Sequence, residues 1–235
     1  MNPILLGPID LRQKPRVAGV VDDTVVPETL QTLHEQGVDV LELRVDTFGR
    51  FEPEYCAEVA KKYALSGMPL LATVRSPAEG GEGGLQPGQR LTLYRALAPY
   101  VHAVDVELGS QEILPGVLGL AREHGLLPIL SYHNFEQTPD SAELTQIVGQ
   151  CVAAGAVAKI ATMAQSREDA LRLAMITLEH CEQGLVTLAM GAPGQFSRVL
   201  FPFLGSLLTY GYAARPTAPG QPSAVNLAGA IRSLC

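Results

Sequence analysis

The chain contains four lysines, and one of them stands where a lysine is costly. Lys14 lies in a polar N-terminal segment, and Lys61 and Lys62 lie on a predicted helix. Lys159 instead interrupts VAKIAT (157–162), a strand-like run of small apolar residues. Removing an ammonium from water costs several kcal/mol unless it is paired or gives up its proton. A lysine in such a run is expected to have a depressed pKa and to offer a reactive amine near neutral pH. Such an amine condenses with a ketone or aldehyde, and the iminium then draws electrons from a carbanion at the neighbouring carbon. The same side chain could instead snorkel to the rim of the fold, or pair with a carboxylate such as Glu42.

Other residues could complete that chemistry. His133, in SYHNF (131–135), follows a strand-like run. A histidine there can take a proton beside an iminium and return it to a departing hydroxyl. Glu79 or Glu42 could orient it; its plainer role is to cap the following loop. Arg75 and Arg198 end separate runs, and a carboxylate ligand favours a bidentate guanidinium. Each could equally be salt-bridged to a neighbouring carboxylate. Glu42, Arg44 and Asp46 alternate, so one face of a strand presents all three. Gln221 follows a Pro-Gly turn and could donate to a carboxylate or hydroxyl, or simply belong to a surface turn. The five histidines show no HxH or HExxH spacing, and no GxxxxGK[ST] occurs, so neither a metal site nor a P-loop is expected. Gly191, Gly194 and Ser197 make only an unspecific candidate anion site.

The elements that must position these groups recur along the chain. Eight β-branched apolar runs begin at residues 17, 38, 69, 102, 127, 156, 185 and 206. Their near-continuous hydrophobicity suits parallel strands covered on both faces. Helix-like segments intervene at 27–37, 53–67, 139–155 and 166–184, several opening on proline and closing on glycine. Alternation of this kind predicts an α/β fold, a (β/α)8 TIM barrel formed as a single catalytic domain over 1–235, with its chemistry at the C-terminal ends of the strands. A doubly wound open sheet is the alternative, but no GxGxxG follows the first strand. The Gly-rich stretch 77–90 is expected to be a mobile lid.

Composition bounds the function. The 235 residues are 47% apolar and 17% charged, which excludes disorder. Four cysteines without framework or CxxC spacing read as reduced thiols in a cytoplasmic protein. A net charge of −7 argues against nucleic-acid binding. The longest uncharged apolar run, 199–214 apart from its proline and glycines, is too short for a membrane span, and the N-terminus lacks the basic region of a signal peptide.

Six motifs, in order and in register, resemble type I 3-dehydroquinate dehydratase: ELRVD (42–46), TVRS followed by EGGEG (73–83), SYHNF (131–135), AKIA (158–161), MGAPGQFSR (190–198) and APGQ (218–221). The resemblance runs from near Arg16 to the end of the chain. It implies a barrel in which Lys159 forms a Schiff base with the C3 ketone of 3-dehydroquinate. His133 would take the C2 proton and protonate the C1 hydroxyl as it leaves, and Glu79 would pair with His133. The resemblance further implies that Arg198, Thr217 and Gln221 hold the carboxylate and hydroxyls, with Glu42, Arg44 and Arg75 lining the pocket. It implies a lyase of the shikimate pathway and aromatic amino acid biosynthesis, a homodimer with no metal or organic cofactor. Three residues depart from the family pattern: Asn134 for a usual Asp, Thr217 for a usual Ser, and Tyr210 for a usual Phe. A Schiff-base aldolase and a non-catalytic quinate- or shikimate-sensing module are the competing readings. The first would want a phosphate nest, and the second would be expected to lack Lys159 or His133.

Overall fold

The computed structural model describes residues 2–216 and 220–234. A short antiparallel ladder, β1 (Leu5–Leu6) with β2 (Ile9–Asp10), precedes eight parallel strands. These are β3 (Val17–Val21), β4 (Val40–Arg44), β5 (Leu70–Thr73), β6 (Ala103–Glu107), β7 (Leu127–Asn134), β8 (Val157–Met163), β9 (Leu185–Met190) and β10 (Thr209–Tyr212). They hydrogen-bond in the order β10-β3-β4-β5-β6-β7-β8-β9. The ring nearly closes where the Leu207 N–H donates to the Leu185 carbonyl at 2.9 Å. The helices are α1 (Pro27–Glu35), α2 (Pro53–Ala64), α3 (Pro87–Leu97), α4 (Leu114–His124), α5 (Ser141–Ala153), α6 (Arg167–His180), α7 (Ser197–Leu200) and α8 (Ala224–Arg232). The expected (β/α)8 barrel is therefore the architecture found.

Helix starts follow local chemistry. Proline opens α1, α2 and α3 in their first turns, where its missing N–H would have no partner in any case. Ser166 and Asp169 form a reciprocal capping box on α6, and the Asp140 carboxylate accepts the Glu143 N–H on α5. The stretch 77–90 departs from the expected lid. Pro87–Arg90 are the first turn of α3, and Arg90 is buried, donating to the Val74 carbonyl at 2.8 Å. Residues 79–81 fold back on Ser76, whose carbonyl accepts the Glu79 and Gly81 N–H groups.

Strand parity decides what fills the barrel. Inward positions near the N-terminal ends are apolar: Val40, Leu71, Ala103, Ile129, Val157, Val186 and Leu208 are all buried in one cluster. Leu6 and Leu11, beside the N-terminal ladder, belong to the same cluster. One inward step along, the residues become Glu42, Thr73, Asp105, Ser131, Lys159 and Tyr210. An apolar floor thus excludes water beneath a charged layer. The outer faces of the strands pack against the helices in a second, larger core.

Gly211 sets how closely α8 can approach β10. A Cβ added there would lie 2.4 Å from the Ala224 Cα. We predict that Gly211→Ala lowers the urea midpoint, corresponding to about 1–3 kcal/mol of overpacking. Gly149→Ala, inside α5 with open space around it, raises the midpoint.

Candidate active site

The mouth of the barrel opens into a pocket of about 550 Å³. Glu42, Arg44, Arg75, Glu79, His133, Lys159, Arg198 and Gln221 all contribute to its wall, so the structure gathers eight residues singled out in the sequence. Thr217 lies outside the described residues.

Lys159 is 4% exposed, so its nitrogen does not face bulk water. Its Nζ donates to Asp105 Oδ2 at 2.7 Å and to Glu42 Oε1 at 3.3 Å. The Tyr210 ring centroid lies 4.2 Å from Nζ. The pairing with Glu42 weighed from the sequence is present, and a stronger contact to Asp105 accompanies it. Asp105 is shared: its Oδ1 accepts from Arg75 Nη2 at 2.9 Å and from Ser131 Oγ at 2.6 Å. Burial alone would raise the Asp105 pKa, but Arg75 and Lys159 outweigh it and hold the carboxyl well below the usual carboxylate range.

Arg75 is committed to carboxylates rather than open to a ligand. Besides Asp105 it donates to Glu107 at 3.0 Å and to Ser131 at 2.7 Å. Glu107 in turn pairs with Arg90 and accepts from Ser110 Oγ at 2.6 Å. Arg44 is gripped in the same way, with two parallel bonds to Asp46 at 3.0 and 2.9 Å. For Arg75 the salt-bridged alternative read from the sequence holds; the Arg44–Asp46 pair was not anticipated there.

His133 and Lys159 stand on neighbouring strands. Lys159 is opposite Ser131, and His133 is opposite Ala161, so both face inward with His133 one step nearer the mouth. This stagger separates their Cα atoms by about 8 Å, close enough for both side chains to reach one small ligand. Glu79 Oε2 accepts the His133 backbone N–H at 2.9 Å and faces Nδ1 at 2.9 Å. Because that oxygen already accepts one N–H, the arrangement assigns the ring proton to Nδ1 and leaves Nε2 as a base. Burial, reinforced by Arg75 and Lys159, pushes the imidazole pKa well below its ordinary value. Burial also raises Glu79 to about 7. An extra proton on this pair therefore sits on Glu79 rather than on the imidazole.

Arg198 is buried beside the strand ends, and its Nη1 donates to the Tyr210 carbonyl at 3.1 Å. Burial lowers its pKa to about 10, which leaves it positive at neutral pH. Gln221 is also buried. Asn134 Oδ1 accepts the Glu136 and Gln137 N–H groups, both at 2.9 Å, so it shapes the turn after β7. An aspartate could accept the same two bonds. Among the described residues, no group of three or more His, Cys, Asp or Glu side chains could hold a metal ion.

Sequence reasoning missed Asp105, Glu107 and Arg90, which fix the charged layer. The available signal was the i, i+2 spacing of two carboxylates inside the buried run AVDVE. It also missed Met190, Leu188 and Phe135, the apolar part of the wall.

Fold and site together define a TIM-barrel enzyme built around a buried lysine. The family model for type I 3-dehydroquinase matches residues 21–234. The 3-dehydroquinate dehydratase of Methanocella arvoryzae is 38% identical over 201 residues, covering 84% of this chain and 88% of that protein. The crystal structure of the 3-dehydroquinate dehydratase from Aquifex aeolicus superposes with a TM-score of 0.84 at 32% identity, covering 93% of this chain and 98% of that one. A type I enzyme from Clostridium difficile, solved with covalently modified comenic acid, gives a TM-score of 0.91 at 27% identity over 99% and 98% of the two chains. The chain belongs to the type I 3-dehydroquinase family.

The His133–Glu79 pair has a testable pH signature. The folded chain binds a proton at His133 less readily than the unfolded chain does, and at Glu79 more readily, so the two contributions to the pH dependence of stability oppose one another. Glu79→Gln leaves the depressed histidine alone, and stability should then fall as pH drops below 6.5. His133→Gln leaves the raised carboxyl alone, and stability should then rise as pH drops from about 7 toward 4.5. Urea midpoints measured across this range check both signs.

Proposed function

We infer that this chain removes water from 3-dehydroquinate to give 3-dehydroshikimate, a hydro-lyase step of the shikimate pathway. The observation that carries the reading is the placement of Lys159, buried and ion-paired, beside an imidazole kept neutral at the same pocket wall. We assign Glu42 to accept a proton from the Lys159 ammonium, because Arg75 holds Asp105 as an anion, whereas the Glu42 oxygen that faces Lys159 is shared with the neutral Thr73 hydroxyl. The free amine adds to the C3 carbonyl carbon, and loss of one water leaves an iminium. His133 Nε2 then takes a proton from C2, and the C–H electron pair moves into the iminium to form an enamine. As the enamine collapses back, the C1–O bond breaks. The proton held by His133 goes to the departing hydroxyl, which leaves as water. Hydrolysis of the product iminium releases the ketone and restores the lysine.

In this reading Arg198 and Gln221 hold the substrate carboxylate, and Glu42, Arg44 and Arg75, each fixed by its own partners, border the ring-hydroxyl side. Glu79 is a positioning residue: it keeps the His133 ring in the tautomer that presents Nε2. The one barrel serves as the whole catalytic unit, acting in the cytoplasm without a metal or organic cofactor. No helix of the described residues is long and apolar enough to cross a membrane.

A homodimer fits the surface. Leu171, Met175 and Leu178 fall at i, i+4 and i+7 on α6 and are 56%, 54% and 47% exposed. Phe203, in the turn that packs beside α6, is also exposed. A stripe of this kind needs a covering surface. Met175→Glu is expected to shift the mass in light scattering from dimer to monomer.

Borohydride added during turnover should attach one reduced ligand to Lys159, read by peptide mass. Lys159→Ala should give no adduct and lose turnover. His133→Ala should still trap the ligand but slow turnover by about 10²–10⁴-fold. Absence of the adduct, together with full activity of Lys159→Ala, would overturn the reading.

A further inference from the structure

The two carboxylates that meet the Lys159 ammonium are held in different ways. Asp105 is held by a cation: its Oδ1 accepts from Arg75 Nη2 at 2.9 Å and from Ser131 Oγ at 2.6 Å, while Oδ2 accepts from Nζ at 2.7 Å. Glu42 is held by a neutral group. Its Oε1 accepts from Nζ at 3.3 Å and from the Thr73 hydroxyl at 2.9 Å. Thr73 is fully buried on β5, opposite Arg44 of β4 on one side and Asp105 of β6 on the other, and it is not part of the pocket wall. It stands between the strands that carry the two carboxylates and donates to Glu42. Valine has nearly the same shape and suits a buried strand, so the hydroxyl itself must be explained.

The difference decides what each carboxylate can do with a proton. A guanidinium only donates, so protonation of Asp105 would leave the buried Arg75 short of a counter-charge. A hydroxyl both donates and accepts. While Glu42 is ionised, the Thr73 O–H points at it. Once Oε1 carries a proton, the Thr73 hydroxyl can turn and accept that O–H, so the bond between the two oxygens survives the transfer. The turn also matters for the amine. A proton newly placed on Oε1 would otherwise point back at Nζ and occupy the lone pair that must attack the carbonyl.

We propose that Thr73 is a positioning residue for Schiff-base formation: by reversing its hydrogen bond to Glu42 it draws the transferred proton away from Nζ and leaves the amine free to attack. In this step the Nζ–H bond breaks and its electron pair stays on the nitrogen. The proton bonds to Glu42 Oε1, and the Thr73 hydroxyl changes from donor to acceptor. Thr73 touches neither the substrate nor the reacting atoms, and it acts through Glu42 alone. The proposal rests on the dehydratase reading and on Glu42 as the acceptor of the lysine proton.

The test separates iminium formation from the chemistry that follows it. Wild type, Thr73→Val and Thr73→Ser are mixed with 3-dehydroquinate and quenched with borohydride at successive times. Peptide mass then gives the fraction of Lys159 carrying reduced substrate and the fraction carrying reduced product. We expect Thr73→Val to slow the appearance of total adduct by about tenfold, the scale of one buried hydrogen bond, and Thr73→Ser to restore it. The rate constant for converting substrate adduct to product adduct, which follows removal of the C2 proton, should be the same in all three proteins. Thr73→Ala also lacks the hydroxyl; it is expected to match Thr73→Val and takes its place if the valine variant fails to fold. Adduct forming at the wild-type rate without the hydroxyl would overturn the proposal. So would equal slowing in Thr73→Ser, or slowing of both steps by the same factor, which would mean that the residue only supports the shape of the site. Absence of any adduct in wild type would refute the underlying dehydratase reading, a result distinct from these.

Discussion

The contact between the Lys159 ammonium and Asp105 is what the rest of the site is built around. It places a charge inside a barrel whose floor is wholly apolar, and such a charge persists only with partners. Asp105 cannot serve Lys159 alone, because Arg75 holds its other oxygen. Arg75 extends the chain to Glu107, and Glu107 extends it to Arg90 on α3 and to the Ser76 N–H at 2.8 Å. Charges thus alternate from the lysine to the segment that carries Glu79. The position of the amine and the position of the residue that orients His133 are set by one connected network. Removing one member of a buried pair typically costs about 3–5 kcal/mol, because the other charge is left without compensation.

The same network explains why the histidine stays neutral. Arg75 and Lys159 supply positive charge near His133, and burial removes the water that would stabilise an imidazolium. Glu79 orients the ring without stabilising an imidazolium, since burial raises the pKa of its own carboxyl. One set of cations therefore steadies Asp105 as an anion and His133 as a base. An acid and a base working a few ångströms apart need environments that push their protonation in different directions, and the charged layer provides that separation.

Much of this was legible in the sequence, for reasons of strand geometry. A lysine inside VAKIAT, a histidine inside SYHNF and the alternation in ELRVD each mark inward positions on buried strands, and period-two spacing turns that into a shared face. What stayed hidden depended on pairing across strands. Arg75 looked like a possible ligand-binding arginine because its partners, Asp105 and Glu107, lie some thirty residues away on a strand that reads as ordinary core. The helix α3 was concealed for a different reason: its buried face includes Arg90, so the apolar period is broken. Its start also adjoins a Gly-rich stretch, and the two together read as one loop. Residues such as Phe135 and Met190 carry no chemical signal at all; only their place at the mouth makes them part of the wall.

If the carbonyl carbon becomes bonded to Lys159 nitrogen in each catalytic cycle, the original ketone oxygen must leave as water, and the product's ketone oxygen must come from solvent. Turnover in ¹⁸O-enriched water, sampled early and corrected for exchange without enzyme, measures this directly. The account requires that each molecule of 3-dehydroshikimate carry one solvent oxygen at its ketone carbon. Product that keeps the substrate's own ketone oxygen would contradict it.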